Sequence, residues 1–360
     1  MTADNQPRIA AVATANPPFR FTQEEVLRLL GYQRPLVREI FLNSDIDTRY
    51  LHVDPAAAAA RPEDEDLDTL HRRYQEGAVL IARQAAERCL EKAALTAGDV
   101  DCILVCSCTG YLCPDLATIL VKEMGLPSRV QRGSLLGLGC AGALPTLQRA
   151  YDHARAYPDH TVLVVAVEIC SAAYYIDDTI ETVVGNAICA DGAAACLVTG
   201  RSDSSPLVGR SPSLGVGPRL AGFASVIDPS CQSSVGFAHR QGRLRIILAP
   251  TIRELAPPIV DRVLNELLPP RGLARGDIRH WVMHPGGRKV IDRVQQALGL
   301  TDADVAVSRR VLRNYGNMSS PTVLFVLNEI MQNGAAQAGD LGVMLALGPG
   351  FAAEAALLEW

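Results

Sequence analysis

No stretch of the sequence is long and apolar enough to cross a membrane, because no run of roughly 18 apolar residues is free of charge. The first residues, Met1 to Arg8, also lack the pattern of a signal peptide. These absences predict a soluble, cytoplasmic protein with no membrane partner. The net charge of −5 comes with no basic cluster, which argues against nucleic acid as a partner.

Metal-ligand patterns are missing as well. Cys106 and Cys108 form a close pair, but no second cluster of ligands accompanies them, so no zinc or other metal site is predicted. Because the chain has no secretion signal, its ten cysteines are interpreted as free thiols. No bound cofactor is expected.

Buried strands and helical segments alternate along the 360 residues, which predicts an α/β protein with mixed sheets covered by helices. Each half closes on a glycine turn and a strand of small residues, at Asp191 to Val198 and at Gly342 to Leu347. Between them, residues 201–219 are rich in Ser, Pro and Gly. We therefore expect two halves, residues 1–205 and 206–360.

Cys140 lies in a glycine-rich turn, directly before a run with helical spacing of its apolar residues that Pro158 ends. The thiol is therefore expected near the positive end of a helix dipole. Beside a cationic imidazole, its pKa would fall below the value of about 8.5 of a free thiol. The turn favours a reactive nucleophile over a buried, inert cysteine.

Two later motifs repeat this arrangement of a turn before a helix. His284 follows a short strand and precedes Gly286 and a helical segment, and Asn317 lies in a turn before another helix. A single His or Asn is more often a structural residue. Together with Cys140, however, they predict a Cys-His-Asn catalytic constellation.

These motifs and their order resemble the type III polyketide synthases, the chalcone synthase family of the thiolase superfamily. The resemblance extends from about residue 8 to residue 360 and rests on Gly139-Cys140-Ala141-Gly142, His284-Pro285-Gly286-Gly287, Tyr315-Gly316-Asn317-Met318-Ser319-Ser320 and Gly348-Pro349-Gly350. It implies a thiolase fold with a duplicated αβαβα arrangement of five layers, and a homodimer.

The resemblance also implies an acyltransferase. Cys140 would carry the acyl chain as a thioester, and malonyl-CoA would lose carbon dioxide to give the enolate that extends it. The Nε2–H of His284 and the side-chain amide of Asn317 would stabilise that enolate, and His284 would also pair with the Cys140 thiolate. The implied substrates are malonyl-CoA and an acyl-CoA starter, and the implied product is an aromatic or pyrone compound.

Family positions in the substrate pocket correspond here to Cys108, Cys113, Cys170, Ala173, Gly185, Cys189 and Ser319. Cys189 replaces the bulky phenylalanine of plant relatives, so the passage between the coenzyme A tunnel and the cavity is expected to be wide. The additional thiols either tune reactivity or only fill volume. Cys113 matches a loop that, in the family, reaches into the partner subunit's cavity.

The family's early basic helix, which binds coenzyme A, is reduced here to Arg38 and Arg49. Gly287, Arg288 and Lys289 match positions beside bound coenzyme A and are the other predicted contacts. For Arg288 and Lys289 the alternative is ordinary solvent-exposed charge in the first turn of a helix.

The substrate is the least determined feature. Segments from Phe41 to Leu51 and from Cys170 to Tyr174 are similar to those of bacterial 3,5-dihydroxyphenylacetyl-CoA synthases, which use malonyl-CoA as starter and extender alike. A fatty acyl starter giving an alkylpyrone or alkylresorcinol is the alternative. The other function classes considered are a ketoacyl synthase of fatty acid initiation and an inert binding protein with a thiolase fold.

Overall fold

The computed structural model describes residues 6–56, 65–200 and 217–360. The boundary predicted between residues 205 and 206 lies outside these ranges. The described strands are β1 (Arg8–Ala15), β2 (Phe19–Thr22), β3 (Thr48–Leu51), β4 (Cys102–Ser107), β5 (Gln131–Leu136), β6 (Thr161–Ile169), β7 (Asp191–Thr199), β8 (Arg219–Ile227), β9 (Val235–Arg240), β10 (Arg243–Leu248), β11 (Ile278–Met283), β12 (Leu341–Gly348) and β13 (Ala352–Glu359).

The helices follow the apolar spacing of the sequence. The described α-helices are α1 (Gln23–Leu29), α2 (Pro35–Leu42), α3 (Leu67–Lys92), α4 (Leu116–Glu123), α5 (Ala143–Ala156), α6 (Ile180–Ile188), α7 (Ile252–Leu267), α8 (Arg288–Leu298), α9 (Asp302–Tyr315) and α10 (Thr322–Gln332). In α5, Leu144, Leu147 and Ala154 are buried, and the helix ends at Ala156 before Pro158. None of the helices in the described ranges is long and apolar enough to span a membrane.

Nine strands form one mixed sheet in the order β11-β12-β13-β8-β1-β7-β6-β4-β5. β4 runs parallel to β5 and β6, and β11 runs parallel to β12, whereas β7 is antiparallel to both of its neighbours. Strands of the N-terminal half form one end of the sheet and strands of the C-terminal half the other. The two groups meet between β1 and β8, at the pair Arg8 and Arg219.

Helices cover and separate these two groups of strands. α3 packs on β1, β6 and β7, whereas α7 packs on β8 and β13. α5 and α10 lie between the groups, because each contacts strands of both halves. Outer helices, strands, inner helices, strands and outer helices give the five layers implied by the resemblance. Cys140 and Asn317 lie just before the inner helices α5 and α10, and His284 lies at the end of β11.

Candidate active site

Cys140 lies in the 3-10 turn Gly139–Ala141, and α5 begins just after it. The turn is packed against a second glycine-rich turn near the C-terminus. A Cβ atom at Gly139 would lie 2.4 Å from Cδ of Pro349, and one at Gly348 would lie 2.6 Å from Cβ of Ala141. Gly139 also has a positive φ of 50°. Glycine is therefore needed on both sides of this contact.

His284 directly follows β11, and its backbone N–H donates to the Leu345 carbonyl oxygen at 2.8 Å. Its side chain is buried, and neither ring nitrogen has a hydrogen-bond partner among the described residues. Burial disfavours the charged imidazolium and lowers the pKa of His284 to about 4. At pH 7 the residue is therefore a neutral imidazole with one donor and one acceptor for a substrate.

Asn317 links Cys140 to the loop that carries His284. Its Oδ1 lies 3.9 Å from Sγ of Cys140 and accepts the Ser319 backbone N–H at 2.8 Å. Its Nδ2 donates to the Gly286 carbonyl oxygen at 3.3 Å, which uses one of its two N–H donors. The structure thus brings Cys140 and Asn317 into contact and joins His284 to them through Gly286.

The end of α6 holds the backbone of Asn317. The Asn317 N–H donates to the Ile188 carbonyl oxygen at 2.8 Å, and the Asn317 carbonyl oxygen accepts the Ala190 N–H at 2.9 Å. Gly316 has a positive φ of 71°, and a Cβ atom there would lie 3.0 Å from the Ile188 oxygen. Glycine at this position therefore lets α6 approach Asn317 closely.

The Cys140 thiol is neutral in this arrangement. Burial raises the pKa of Cys140 to about 12, and hydrogen bonds with Ser319 and Asn317 offset only part of that effect. The lowered pKa expected beside a cationic imidazole does not arise, because His284 is neutral and forms no hydrogen bond with the thiol. The expected resting pair of His284 with a Cys140 thiolate is therefore wrong for this structure.

Several predicted pocket residues surround the nucleophile. Sγ of Cys108 lies 3.7 Å from Oγ of Ser319, and Cys108 and Cys189 are both close enough to Cys140 to interact with it electrostatically. The Cys189 thiol hydrogen-bonds that of Cys170 and helps to raise the pKa of Cys170 well above its usual value. Three other thiols therefore cluster with that of Cys140: Cys108 and Cys189 lie beside it, and Cys170 is bonded to Cys189.

The remaining pocket residues have different environments. Ala173 is buried at the end of the 3-10 turn Cys170–Ala173. A Cβ atom at Gly185 would lie 2.2 Å from Cγ2 of Ile246, so this glycine lets β10 approach α6. Ile246 therefore packs against Gly185, a neighbour that could not be identified from the sequence. Cys113 is exposed, and its place in a partner's cavity stays a prediction.

Glu168 is a buried carboxylate that the sequence analysis did not assign to the site. Its Oε2 accepts the backbone N–H groups of Cys108 at 2.9 Å and Thr109 at 3.1 Å, and its Oε1 accepts the Ser320 hydroxyl at 2.8 Å. Burial raises the pKa of Glu168 in spite of these bonds. It joins the Cys108 loop to the Ser320 turn. In the sequence, Glu168 is the single charged residue within the apolar run of β6. A buried carboxyl group is tolerated there only when it has hydrogen-bond partners.

A cavity of about 490 Å³ lies beside the catalytic cluster, between α2, α6 and the first turns of α7 and α8. Gly287, Arg288 and Lys289 line this cavity. Arg288 is partly exposed, with its Nε 3.9 Å from Oδ1 of Asp45. The three C-terminal residues predicted to contact coenzyme A are therefore in one place.

The two predicted N-terminal contacts for coenzyme A lie elsewhere. Arg49 is fully buried, and its Nη1 donates to the carbonyl oxygens of Asn186 at 2.7 Å and Cys189 at 2.6 Å. Its assignment to coenzyme A is therefore wrong, because the guanidinium holds the end of α6 instead. Arg38 is exposed, donates to Glu24 at 2.8 Å and is not among the residues lining the cavity. Its role stays a prediction.

Comparison with known proteins gives this arrangement a family. Residues 37–206 match the family described as FAE1/Type III polyketide synthase-like protein, and residues 226–359 match Chalcone and stilbene synthases, C-terminal domain. A 3,5-dihydroxyphenylacetyl-CoA synthase of Amycolatopsis balhimycina is 35% identical over 98% of this chain and 93% of its own length. The chain belongs to the type III polyketide synthases.

Two further relatives agree with this assignment. A 1,3,6,8-tetrahydroxynaphthalene synthase of Streptomyces peucetius subsp. caesius is 32% identical to this polyketide synthase over 99% of this chain and 94% of its own. The crystal structure of PKS-I from the brown alga Ectocarpus siliculosus has a TM-score of 0.89 at 29% identity and covers 98% of each chain.

The family assignment confirms three of the expectations. The fold is the thiolase fold, the protein is an acyltransferase that catalyses Claisen condensations, and the family uses malonyl-CoA and acyl-CoA substrates. It also sets aside the two function classes outside this family, the ketoacyl synthase of fatty acid initiation and the inert binding protein.

Proposed function

We propose that this polyketide synthase uses malonyl-CoA as starter and extender on Cys140 and forms a 3,5-dihydroxyphenylacetyl-CoA product. Similarity over nearly the whole chain to a synthase of that product supports the proposal. The chemistry rests on one observation, the contact of Cys140 with Asn317, which is bonded in turn to the loop of His284. We also propose a cytoplasmic location, because both substrates are coenzyme A thioesters.

Loading begins with attack of the Cys140 sulfur on the thioester carbonyl carbon. Because the thiol and the imidazole are both neutral, the thiol proton passes to His284 as the new C–S bond forms. The imidazolium then protonates the departing coenzyme A thiolate. His284 returns to its neutral form, and the acyl group is a thioester of Cys140.

Extension begins when a second malonyl-CoA releases its carboxylate as carbon dioxide. The electron pair of the broken C–C bond forms an enolate, whose negative charge lies on the thioester oxygen. In this proposal the second Nδ2 N–H of Asn317 and the N–H of neutral His284 donate to that oxygen. The enolate carbon attacks the thioester on Cys140 and expels the thiolate, and the lengthened chain on coenzyme A can load again.

Mass spectrometry of the products tests this substrate assignment. With malonyl-CoA as the only substrate, we expect a 3,5-dihydroxyphenylacetyl product that Cys140→Ala abolishes. If malonyl-CoA alone gives no product but malonyl-CoA with a long-chain acyl-CoA does, the assignment is wrong and the second candidate below is correct.

A long-chain acyl starter, giving an alkylpyrone or alkylresorcinol, is the second candidate function. It is supported by the small side chain of Cys189, which lies beside Cys140 and leaves room for a long chain. Repeating the product assay with acyl-CoAs of increasing length distinguishes the two candidates.

We propose a homodimer formed along the β5 edge of the sheet. Among the described strands β5 pairs with β4 alone. Tyr111, Leu136 and Leu138 are exposed there, and Leu112 beside Tyr111 lines a small cavity together with Leu136. An exposed edge strand with apolar side chains at one end favours pairing with a second copy. Cys113 is exposed two residues after Tyr111, and we propose that it enters the neighbouring subunit. Light scattering of the wild type and of Leu136→Lys tests the dimer.

A further inference from the structure

The 490 Å³ cavity has an inner end at the catalytic cluster and an outer end in solvent. At the inner end it is lined by Ile188 and Gly286, whose carbonyl oxygens both accept hydrogen bonds from Asn317. At the outer end it is lined by Leu36 and Arg253, which are 52% and 42% exposed. A thioester bound along the cavity therefore has its reacting carbonyl at Asn317 and its other end between α2 and α7.

Charge is distributed unequally around the outer end. The side chains of α2 and its C-cap that line the cavity are Leu36, Glu39, Ile40 and Asn43, and none of them is cationic. On the opposite side, α7 and α8 supply Arg253, Arg288 and Lys289. A ligand with several phosphates is therefore repelled by Glu39 and attracted to the side formed by the C-terminal half of the chain.

Arg253 lies in the first turn of α7, and the sequence analysis did not assign it to any site. Its Nε donates to Oε1 of Glu254 at 2.6 Å, and the two side chains are 42% and 51% exposed. An exposed pair of this kind adds little stability, so a phosphate can compete for the guanidinium. The contact occupies one of five N–H donors, and the rest form the planar fork that suits a phosphate group.

We propose that Arg253 binds a phosphate of coenzyme A thioesters and, with Lys289, takes over the role that basic residues of the early helix have elsewhere in the family. The proposal rests on the proposed function, because it assumes that coenzyme A thioesters enter this cavity. It explains how the enzyme holds a polyanion although Arg49 is buried and Arg38 faces Glu24.

The test compares Arg253→Gln with Arg262→Gln. Arg262 is on the same helix but lies 4.0 Å from Asp228 and does not line the cavity. For each variant, KM is measured for malonyl-CoA and for the malonyl thioester of pantetheine, which keeps the reacting group and lacks every phosphate. We expect Arg253→Gln to raise KM for malonyl-CoA about tenfold, through loss of a charge-assisted hydrogen bond, and to leave KM for the pantetheine thioester unchanged. The ratio of the first KM to the second therefore rises about tenfold. Arg262→Gln should leave the ratio unchanged, and Arg253→Lys should restore part of it.

An unchanged KM ratio in Arg253→Gln would overturn the proposal. This includes the case in which KM rises equally for both thioesters, because the residue would then affect the whole site rather than a phosphate. A wild-type enzyme that forms no polyketide from either thioester refutes the proposed function instead. Calorimetry with free coenzyme A then still tests Arg253: a dissociation constant raised about tenfold in Arg253→Gln supports the phosphate contact, and an unchanged constant refutes it.

Discussion

Burial of His284 should make the stability of this enzyme depend on pH in a way that one substitution removes. The pKa of the buried imidazole is about 4, whereas a histidine in an unfolded chain titrates at about 6.5. Between these values the unfolded chain binds a proton that the folded protein does not. The stability is complete above about pH 6.5 and declines as the pH falls toward 4, by about 2 kcal/mol between pH 7 and pH 5.

His284→Asn removes this titration and keeps a polar side chain at the site. The free energy of unfolding is measured by urea denaturation at pH 7 and pH 5, at one protein concentration because a dimer's stability depends on it. We expect the wild type to lose about 2 kcal/mol more than His284→Asn over this interval. Other titrating groups, such as the buried carboxyls of Glu168 and Asp191, are present in both proteins and cancel in the difference.

His71→Asn is the matched control, because His71 is exposed on α3. It should show the same pH dependence as the wild type. Equal losses for the wild type and His284→Asn would mean that burial does not lower the pKa of His284. A smaller loss for the wild type than for His284→Asn would mean that the folded protein holds a protonated imidazole. In that case His284 could not accept the thiol proton of Cys140, and the loading step described above would be refuted.

Three further substitutions test the roles proposed for Cys140, Asn317 and Cys189. Cys140→Ala should abolish polyketide formation, and any product retained in mass spectra would show that Cys140 does not carry the chain. Asn317→Ala should lower carbon dioxide release from malonyl-CoA on the order of 100-fold while Cys140 still loads; unchanged release, equal to that of the control Asn333→Ala, would make the amide structural. Cys189→Phe should lower kcat/KM for long acyl-CoAs more than for malonyl-CoA. Because overpacking costs roughly 1–3 kcal/mol, the ratio is measured on folded protein, and an unchanged ratio would place Cys189 off the acyl path.

Local sequence was enough to locate Cys140, His284 and Asn317. Each lies where a glycine-containing turn meets a strand or a helix, and these signals occupy only a few neighbouring residues. Gly139 and Gly316 are glycines for reasons of backbone conformation and close approach. The alternation of buried strands and helices likewise predicted the mixed sheet, and the family resemblance supplied the five layers.

Burial and distant partners could not be predicted in this way. Arg49 looks like a surface cation in the sequence, but its partners are carbonyl oxygens of Asn186 and Cys189, far along the chain. His284 looks like a cationic partner for a thiolate, yet its enclosure keeps it neutral. Both errors have one cause, since burial, which only the folded chain determines, sets the partners of Arg49 and the protonation of His284.

The cluster of Cys140, His284 and Asn317 depends on contacts between the two halves of the chain. Cys140 belongs to the first half and Asn317 to the second, and the backbone of Asn317 is held by Ile188 and Ala190 of the first half. Arg49 bonds the carbonyl oxygen of Cys189, between those two residues. Arg49 therefore fixes the segment that holds the side-chain amide of Asn317 beside the thiol of Cys140. Because the thiol and the amide come from different halves of the chain, neither half alone can hold the two groups in place.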